Sequence, residues 1–485
     1  MTSWTAQPIR RTGALAVATL LGLLSGCGAT PARSNVPPTP ARPLSGEYVA
    51  TFHTQFVGPI RARMIAEPTE QGFKANTPPG VAWGLVGGVE KLLGPLFTPF
   101  VFPSGMILTW ESTLPRDGGH GQGTIGVGSI DSLRARTRIV AQDSPVEVRW
   151  RDGRLIGLLD LKPGPGPAPF ADYAALAARA REEFPARYFD PVLARSRPVQ
   201  NYLDDLAAVA SKSHDDIEFL FGALFAGRKN IARYGTPMIF PREQPASRSM
   251  FAGKSEAPKP IAVSGDPQSQ TVTLRIDAFM EDALVDEGFR KALATRPKAL
   301  ILDLRTCPGV ELAAFRAATW LTDVPLRLGT YVGAAKRGSP DEGSAPVARI
   351  CSESSSAALT DRLALEQALA FEALPRADGF SGPVVVLTSR RTSSTAEALT
   401  TALAAAGRVT IIGEPTAARP MLSREFDLGQ DWSMRIAAYD YIRPDGTRVP
   451  RGGLDPAVRA IPEQAPQVAR EWLARRESGV TTTAR

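Results

Sequence analysis

The side chains that could do chemistry gather in one short stretch, Ser389 to Glu397, which reads SRRTSSTAE. It follows an apolar, β-branched run, Val384 to Leu387, too short for a helix and suited to a buried parallel strand. Beyond it Ala396, Leu399, Ala402, Leu403 and Ala406 recur at helical spacing up to Gly407, a residue fitted to the left-handed position past a helix end. Val409 to Ile412 is a further strand. A strand, a hydroxyl-rich turn, a helix and a strand make a βαβ unit that sets Ser394 at a helix N-terminus. Unpaired first-turn amides and the positive end of the helix dipole would stabilise charge growing on an attacked carbonyl, which an acyl-transfer nucleophile needs. A plain helix N-cap calls for the same residue type, so type alone leaves both roles open.

The surrounding letters carry more. Ser394-Thr395-Ala396-Glu397, followed by Gly407-Arg408 and Gly413-Glu414-Pro415-Thr416, resembles the core of the C-terminal-processing (tail-specific) serine peptidases and the related tricorn core protease. Upstream, Ala299 to Gly309, ALILDLRTCPG, resembles that family's strand ending in a glycine turn. Downstream, Tyr441 to Gly446 and Gly453 to Pro456 resemble its closing hairpin and terminal motif. The resemblance spans residues 170 to 460. It implies an α/β crotonase-like peptidase core with a small helical subdomain, Ser394 as nucleophile, and the Gly309 and Thr395 N–H groups as oxyanion donors.

Two departures set the chemical problem. The family's lysine base falls on Arg419, and arginine stays protonated, so it cannot take the serine proton. The tricorn branch draws a histidine from a Ser-His pair after a helical segment, and the comparable pair here is Ala232-Arg233. The last lysine is Lys336 and the last histidine His214, so no base lies near Ser394 in sequence. His214, Lys229 and Lys212, all in the helical segment, are the candidates for a base folded in from elsewhere.

Composition bounds the rest. A chain of 485 residues with 43% apolar content predicts two or three globular domains. The net charge is +7, two units of it from Arg10 and Arg11 in a segment read as removed, which is too mild to imply nucleic acid. Only ten of the 56 basic residues are lysine, so a drift from lysine to arginine explains the letter at 419 but not how chemistry survives it. Three cysteines and three scattered histidines offer no metal-ligand spacing, and no cofactor is expected. Cys307, beside the glycine turn, is a reactive thiol or a small buried filler, and whether it pairs with Cys351 is not readable.

In chain order, residues 1–26 read as a lipoprotein-type signal peptide: Arg10-Arg11, an apolar run from Ala14 to Leu24, and Leu24-Ser25-Gly26-Cys27, whose cysteine the resemblance to a lipoprotein box marks for lipidation. A lipid anchor at Cys27 implies the cell envelope, and in a Gram-negative one the periplasmic face of the outer membrane. Residues 27–45 read as a flexible tether. Residues 46–162 read as a separate N-terminal β-rich domain, with a hairpin at Val146–Trp150 and Leu155–Leu161 and a strand over Leu133–Ile139 whose Arg134, Arg136 and Arg138 share one face. That face is solvated or rests on lipid headgroups. Trp83 to Trp110 reads as buried loop and short helix. PGPGPAP at residues 163–169 marks a linker.

Residues 170–240 read as the helical subdomain, with helices at Tyr173–Glu183 and Asp204–Phe225. The span 241–270 is too short for a tail-reading PDZ module. Residues 271–460 form the α/β core, with strands at Thr271–Ile276 and Leu300–Leu304 and helices at Asp286–Thr295, Leu312–Leu321 and Leu359–Leu369; residues 461–485 are a C-terminal helix and tail. Two functions follow: an envelope-anchored serine peptidase acting on peptides or unfolded proteins through Ser394, with Arg419 orienting a carboxylate or the oxyanion, or an inactive relative that binds peptides or partners without cleaving them.

Overall fold

The structure is a computed structural model that describes residues 44–54, 57–78, 108–114, 121–127, 134–139, 145–149, 155–167, 169–242, 260–266, 270–309, 311–339 and 344–477. Cys27, the signal segment and most of the Trp83–Trp110 stretch lie outside these residues.

Eight antiparallel strands, β1 (Gly46–Thr54), β2 (Ile60–Thr69), β3 (Gly72–Asn76), β4 (Leu108–Thr113), β5 (Gly121–Val127), β6 (Arg134–Ile139), β7 (Val146–Arg149) and β8 (Leu155–Pro163), close into a barrel, with β8 pairing back onto β1. Closure leaves no strand edge open. Inward positions alternate with outward ones, so Met64, Phe73, Trp110, Val148 and Ile156 fill the interior beside small alanines. Trp110 packs edge-on against Phe73 and donates its indole N–H to Thr137 at 3.0 Å. Arg136 and Arg138 point outward and are exposed.

Helices α1 (Tyr173–Arg187), α2 (Pro191–Ala194), α3 (Arg197–Ala210) and α4 (Asp216–Ile231) follow the barrel. The single helix expected over Asp204–Phe225 is two, broken at Ser211–Asp215. The break is chemical: Asp215 caps α4 by accepting the Glu218 N–H at 2.9 Å, and its other oxygen accepts the Arg63 N–H of the barrel at 3.1 Å. Asp216 accepts the Arg61 N–H and guanidinium, both at 2.8 Å, and the Tyr173 hydroxyl at 2.7 Å. The start of α4 is therefore clamped to β2.

Burial raises the Asp215 carboxyl to about 7, against the two amides and Arg63 that favour its charge. A raised value means stability present at low pH and lost as pH climbs to about 7. Asp215→Asn, neutral at every pH but able to accept only one of the two amides, is expected to be the less stable protein near pH 4. Melting temperatures measured up to pH 8 should move steadily in its favour. A difference that does not change with pH would contradict this.

The remaining strands form two sheets. The first runs β10 (Ile261–Asp266), β11 (Thr271–Ile276), β12 (Ala299–Asp303), β16 (Val384–Thr388), β17 (Thr410–Gly413), β20 (Val458–Arg459), parallel except for β10. The second runs β14 (Val347–Ile350), β15 (Ala368–Ala373), β13 (Leu326–Gly333), β19 (Trp432–Ile442), β18 (Leu422–Gly429), with β9 (Met238–Pro241) also pairing β19. Between the sheets lie α5 (Asp282–Leu293), α6 (Ala313–Leu321) and α8 (Ser394–Ala405), while α9 (Ala465–Glu477) covers the outer face of the first sheet. This sandwich explains the unbroken apolar letters of β12 and β16. Leu300, Leu302, Val384 and Val386 face the inner helices, whereas Ile301, Val385 and Leu387 face α9.

The helix expected at Leu359–Leu369 is α7 (Ser356–Glu366), and it stops earlier than its Ala- and Leu-rich letters suggest. Gln367 takes φ 60°, a left-handed end, and Leu369 belongs to β15, which pairs with both β13 and β14. Sheet pairing overrides helix propensity there.

Candidate active site

Ser394 and Gly309 meet because β12 and β16 are adjacent and parallel. The loops leaving their C-terminal ends open on the same side, where α/β sheets hold their ligands. The loops are stitched together: the hydroxyls of Ser389, Thr392 and Ser393 donate to the carbonyls of Arg305, Leu304 and Pro308 at 2.6, 2.8 and 2.8 Å. This is the use of the hydroxyl-rich turn.

Ser394 itself has φ 53°, a left-handed conformation that is uncommon outside glycine and is held here from both sides. Its N–H donates to the Arg419 carbonyl at 2.7 Å and its hydroxyl to the Met421 carbonyl at 2.9 Å. A serine on a tight strand-to-helix turn with its side chain half-buried at the helix start is the arrangement of a nucleophile elbow. The Thr395 and Ala396 N–H groups have no hydrogen-bond partner among the described residues, and the buried Thr395 hydroxyl has none either.

Gly309, at φ 55°, lies against those amides: a Cβ there would stand 2.5 Å from the Ala396 nitrogen and 2.9 Å from that of Thr395. Residues 270–460 match the model of Peptidase family S41. This span is a peptidase family S41 domain. Likenesses among solved structures are to a lipoprotein from Streptococcus agalactiae (14% identity, TM-score 0.42, 63% of this chain and 97% of that one) and to the tricorn protease (9%, 0.41, 76% and 45%). A third is to the photosystem II D1 C-terminal processing protease (14%, 0.34, 60% and 94%). No curated protein sequence matches the chain.

Within the S41 domain, Gly309 acts on the site first through the side chain it lacks. Its own N–H faces the Cys307 sulfur, as does that of Phe279, so the donors open at the helix start are Thr395 and Ala396. Gly309→Ala is expected to cost about 1–3 kcal/mol from the left-handed backbone alone, with the collision at the amides added to it. Chemical denaturation would read that loss, and unchanged stability would contradict the close approach. Cys307 is fully buried, burial pushes its thiol up to about 12, and both it and Cys351 are free. It is the buried filler rather than a reactive thiol.

Glu397, one turn along α8, is fully buried. It accepts from the Thr416 hydroxyl, the Ala418 N–H at 2.9 Å and the Arg419 N–H at 2.8 Å. Burial raises its pKa while these donors oppose the rise. Glu397 thus pins the segment whose carbonyls hold Ser394. Arg419 is half-buried, burial lowers its pKa, and among the described residues its guanidinium has no hydrogen bond or ion pair.

None of the three candidate bases is brought to Ser394. His214 and Lys212 precede α4, at its barrel end, and His214 lies 3.6 Å from Glu218. Helix α4 has 16 residues and is about 24 Å long. Its other end is the one beside the site: a Cβ on Gly235, just past the helix, would lie 4.0 Å from the Met421 methyl. Lys229 stands at that end but turns away, pairing with Asp205 on α3 at 2.8 Å. The side chain of Arg233 lies outside the described residues. Arg228, on the last two turns of α4, is half-buried and held below its ordinary pKa by burial and then by the like charge of Arg419. Glu311, two residues past Gly309, is a second titratable group near the turn, and burial raises its carboxyl. Sequence reading passed over both because neither belongs to a family motif.

Proposed function

We propose that the protein is a serine-type peptidase acting on peptides or unfolded proteins through Ser394, held at the cell envelope by a lipid on Cys27. The observation that carries the reading is Ser394 at φ 53° on the strand-to-helix turn of an S41 domain, beside two unpaired amides. In the proposed reaction the Ser394 oxygen adds to the peptide carbonyl as its proton passes to solvent water, and the oxyanion is received by the Thr395 and Ala396 N–H groups. Collapse breaks the C–N bond as the nitrogen takes a proton from solvent water, so that the amine leaves, and a second water then hydrolyses the acyl ester, returning the Ser394 hydroxyl and releasing the new carboxyl terminus. The Met421 carbonyl orients the hydroxyl but cannot take its proton, and Arg419 is already protonated. Turnover without a positioned base is slower by about 10²–10⁴-fold than with one.

That same hydrogen bond favours a second reading, an inactive relative that binds peptides without cleaving them. Hydrolysis of an unstructured peptide, followed by mass spectrometry, separates the two. A slow rate abolished by Ser394→Ala supports the peptidase. Peptide binding with no cleavage above the Ser394→Ala background supports the second reading.

A further inference from the structure

We infer that Asp216 and Arg61 are positioning residues for Ser394: the pair locks α4 to the barrel, and α4 carries that lock across the molecule to the carbonyl that orients the nucleophile. The inference rests on Ser394 being the nucleophile, and it adds the barrel to what holds that residue. At one end the lock is a buried carboxylate. Asp216 is fully buried and accepts the Arg61 N–H and Nε–H, both at 2.8 Å, the Arg61 Nη2 at 3.2 Å and the Tyr173 hydroxyl of α1 at 2.7 Å. A bidentate guanidinium that also brings its own backbone amide fixes direction as well as distance. Asp215 accepts the Arg63 N–H, so two successive residues of α4 are tied to alternate residues of β2.

The other end bears on Ser394. Past α4, Gly235 takes φ 92°, and a Cβ there would stand 3.7 Å from that of Ala437 on β19 and 4.0 Å from the Met421 methyl. The Tyr188 hydroxyl donates to the Tyr234 carbonyl at 3.1 Å, and β9, which follows, pairs with β19, so this end is fixed too. Met421 packs against one continuous core that also holds Ile60 and Ala62 of β2 and Phe219, Ala223 and Ile231 of α4. Its carbonyl is the hydrogen-bond partner of the Ser394 hydroxyl among the described residues. Packed atoms thus run without a break from the barrel to the nucleophile, and the longest member of the path is a helix whose backbone bonds keep its length constant. Close-packed interiors transmit a displacement rather than absorb it. A tilt of α4 at Asp216 therefore reaches Met421, and a shift of about 1 Å in a reacting group costs about 10²-fold in rate.

The test uses the full chain and reads the rate at which a fluorophosphonate labels Ser394, in variants whose folding is checked by circular dichroism. Arg61→Ala is expected to label at least about tenfold more slowly than the wild type. Arg61→Lys, which keeps the charge and a donor, should recover most of that rate. Met421→Ala keeps the carbonyl but removes the packing to the end of α4, and it should slow labelling as well. If both substitutions act through one strut, the double variant is no slower than the slower single one, whereas independent sites this far apart give effects that multiply. Trp110→Phe, on β4 inside the barrel, controls for lost barrel stability and should label like the wild type. Amide hydrogen exchange keeps the proposal distinct from the peptidase reading. The Ser394 N–H, held by the Arg419 carbonyl, should lose protection in Arg61→Ala but not in Trp110→Phe, even in a protein that the probe leaves unlabelled. Folded Arg61→Ala with wild-type labelling and protection, effects that multiply in the double variant, or an equal loss in Trp110→Phe overturns the proposal.

Discussion

Arg419→Lys is expected to raise peptide hydrolysis by about 10²-fold or more, the contribution of a positioned general base. The substitution keeps the backbone bonds that hold Ser394, since those run through the Arg419 N–H and carbonyl rather than its side chain. What changes is the proton inventory. Burial already lowers Arg419, against the opposing charge of Glu397, which raises it. A lysine in the same surroundings starts from about 10.4 and is pushed down by the same burial. A larger share of it than of a free lysine would be neutral, and able to take the serine proton, as pH rises. The rate of the variant should rise with pH through that lowered pKa and then level off, while the wild type stays slow throughout. A folded variant whose rate equals that of the wild type would show that the missing base is not what limits the site.

Glu397→Ala is expected to destabilise the S41 domain by about 3–5 kcal/mol, because removing one buried partner leaves the others uncompensated. The Thr416 hydroxyl and the Ala418 and Arg419 amides would all lose their acceptor inside the protein. The segment they belong to carries the carbonyls that hold Ser394, so a strained serine would also lose its brace. Glu397→Gln keeps one carbonyl oxygen and should cost less. Denaturant unfolding of the three proteins gives the order wild type, Gln, Ala, and an Ala variant as stable as the wild type would mean that the three donors find water instead.

Local pattern made much of this legible in the sequence. The β16–α8–β17 unit follows from β-branched letters, helical spacing and Gly407, which does take the left-handed φ of 66°. The barrel hairpin at β7 and β8 follows in the same way, but closure does not: β8 pairs with β1, and nothing in either strand specifies so distant a partner. The helix break before Asp215 coincides with an entirely polar run, Ser211 to Asp216, but the acid that makes the cap answers to a barrel strand far upstream, which no local pattern shows. Arg228 was hidden for the same reason. Its neighbour Lys229 looked the better candidate by type, yet adjacent helix positions point in different directions, and Lys229 turns to Asp205 while Arg228 feels the charge of Arg419. The Gly309 partnership was legible through family resemblance alone, and the structure supplies its physical cause in two parallel strands whose loops share one edge.

The Ser394 oxygen is read here as an accessible nucleophile beside unpaired amides. A fluorophosphonate probe, with the modified residue located by mass spectrometry, tests it most directly. Covalent modification is expected at Ser394 in the wild type and none in Ser394→Ala. Folded wild-type protein that stays unmodified, or carries the label elsewhere, would contradict it.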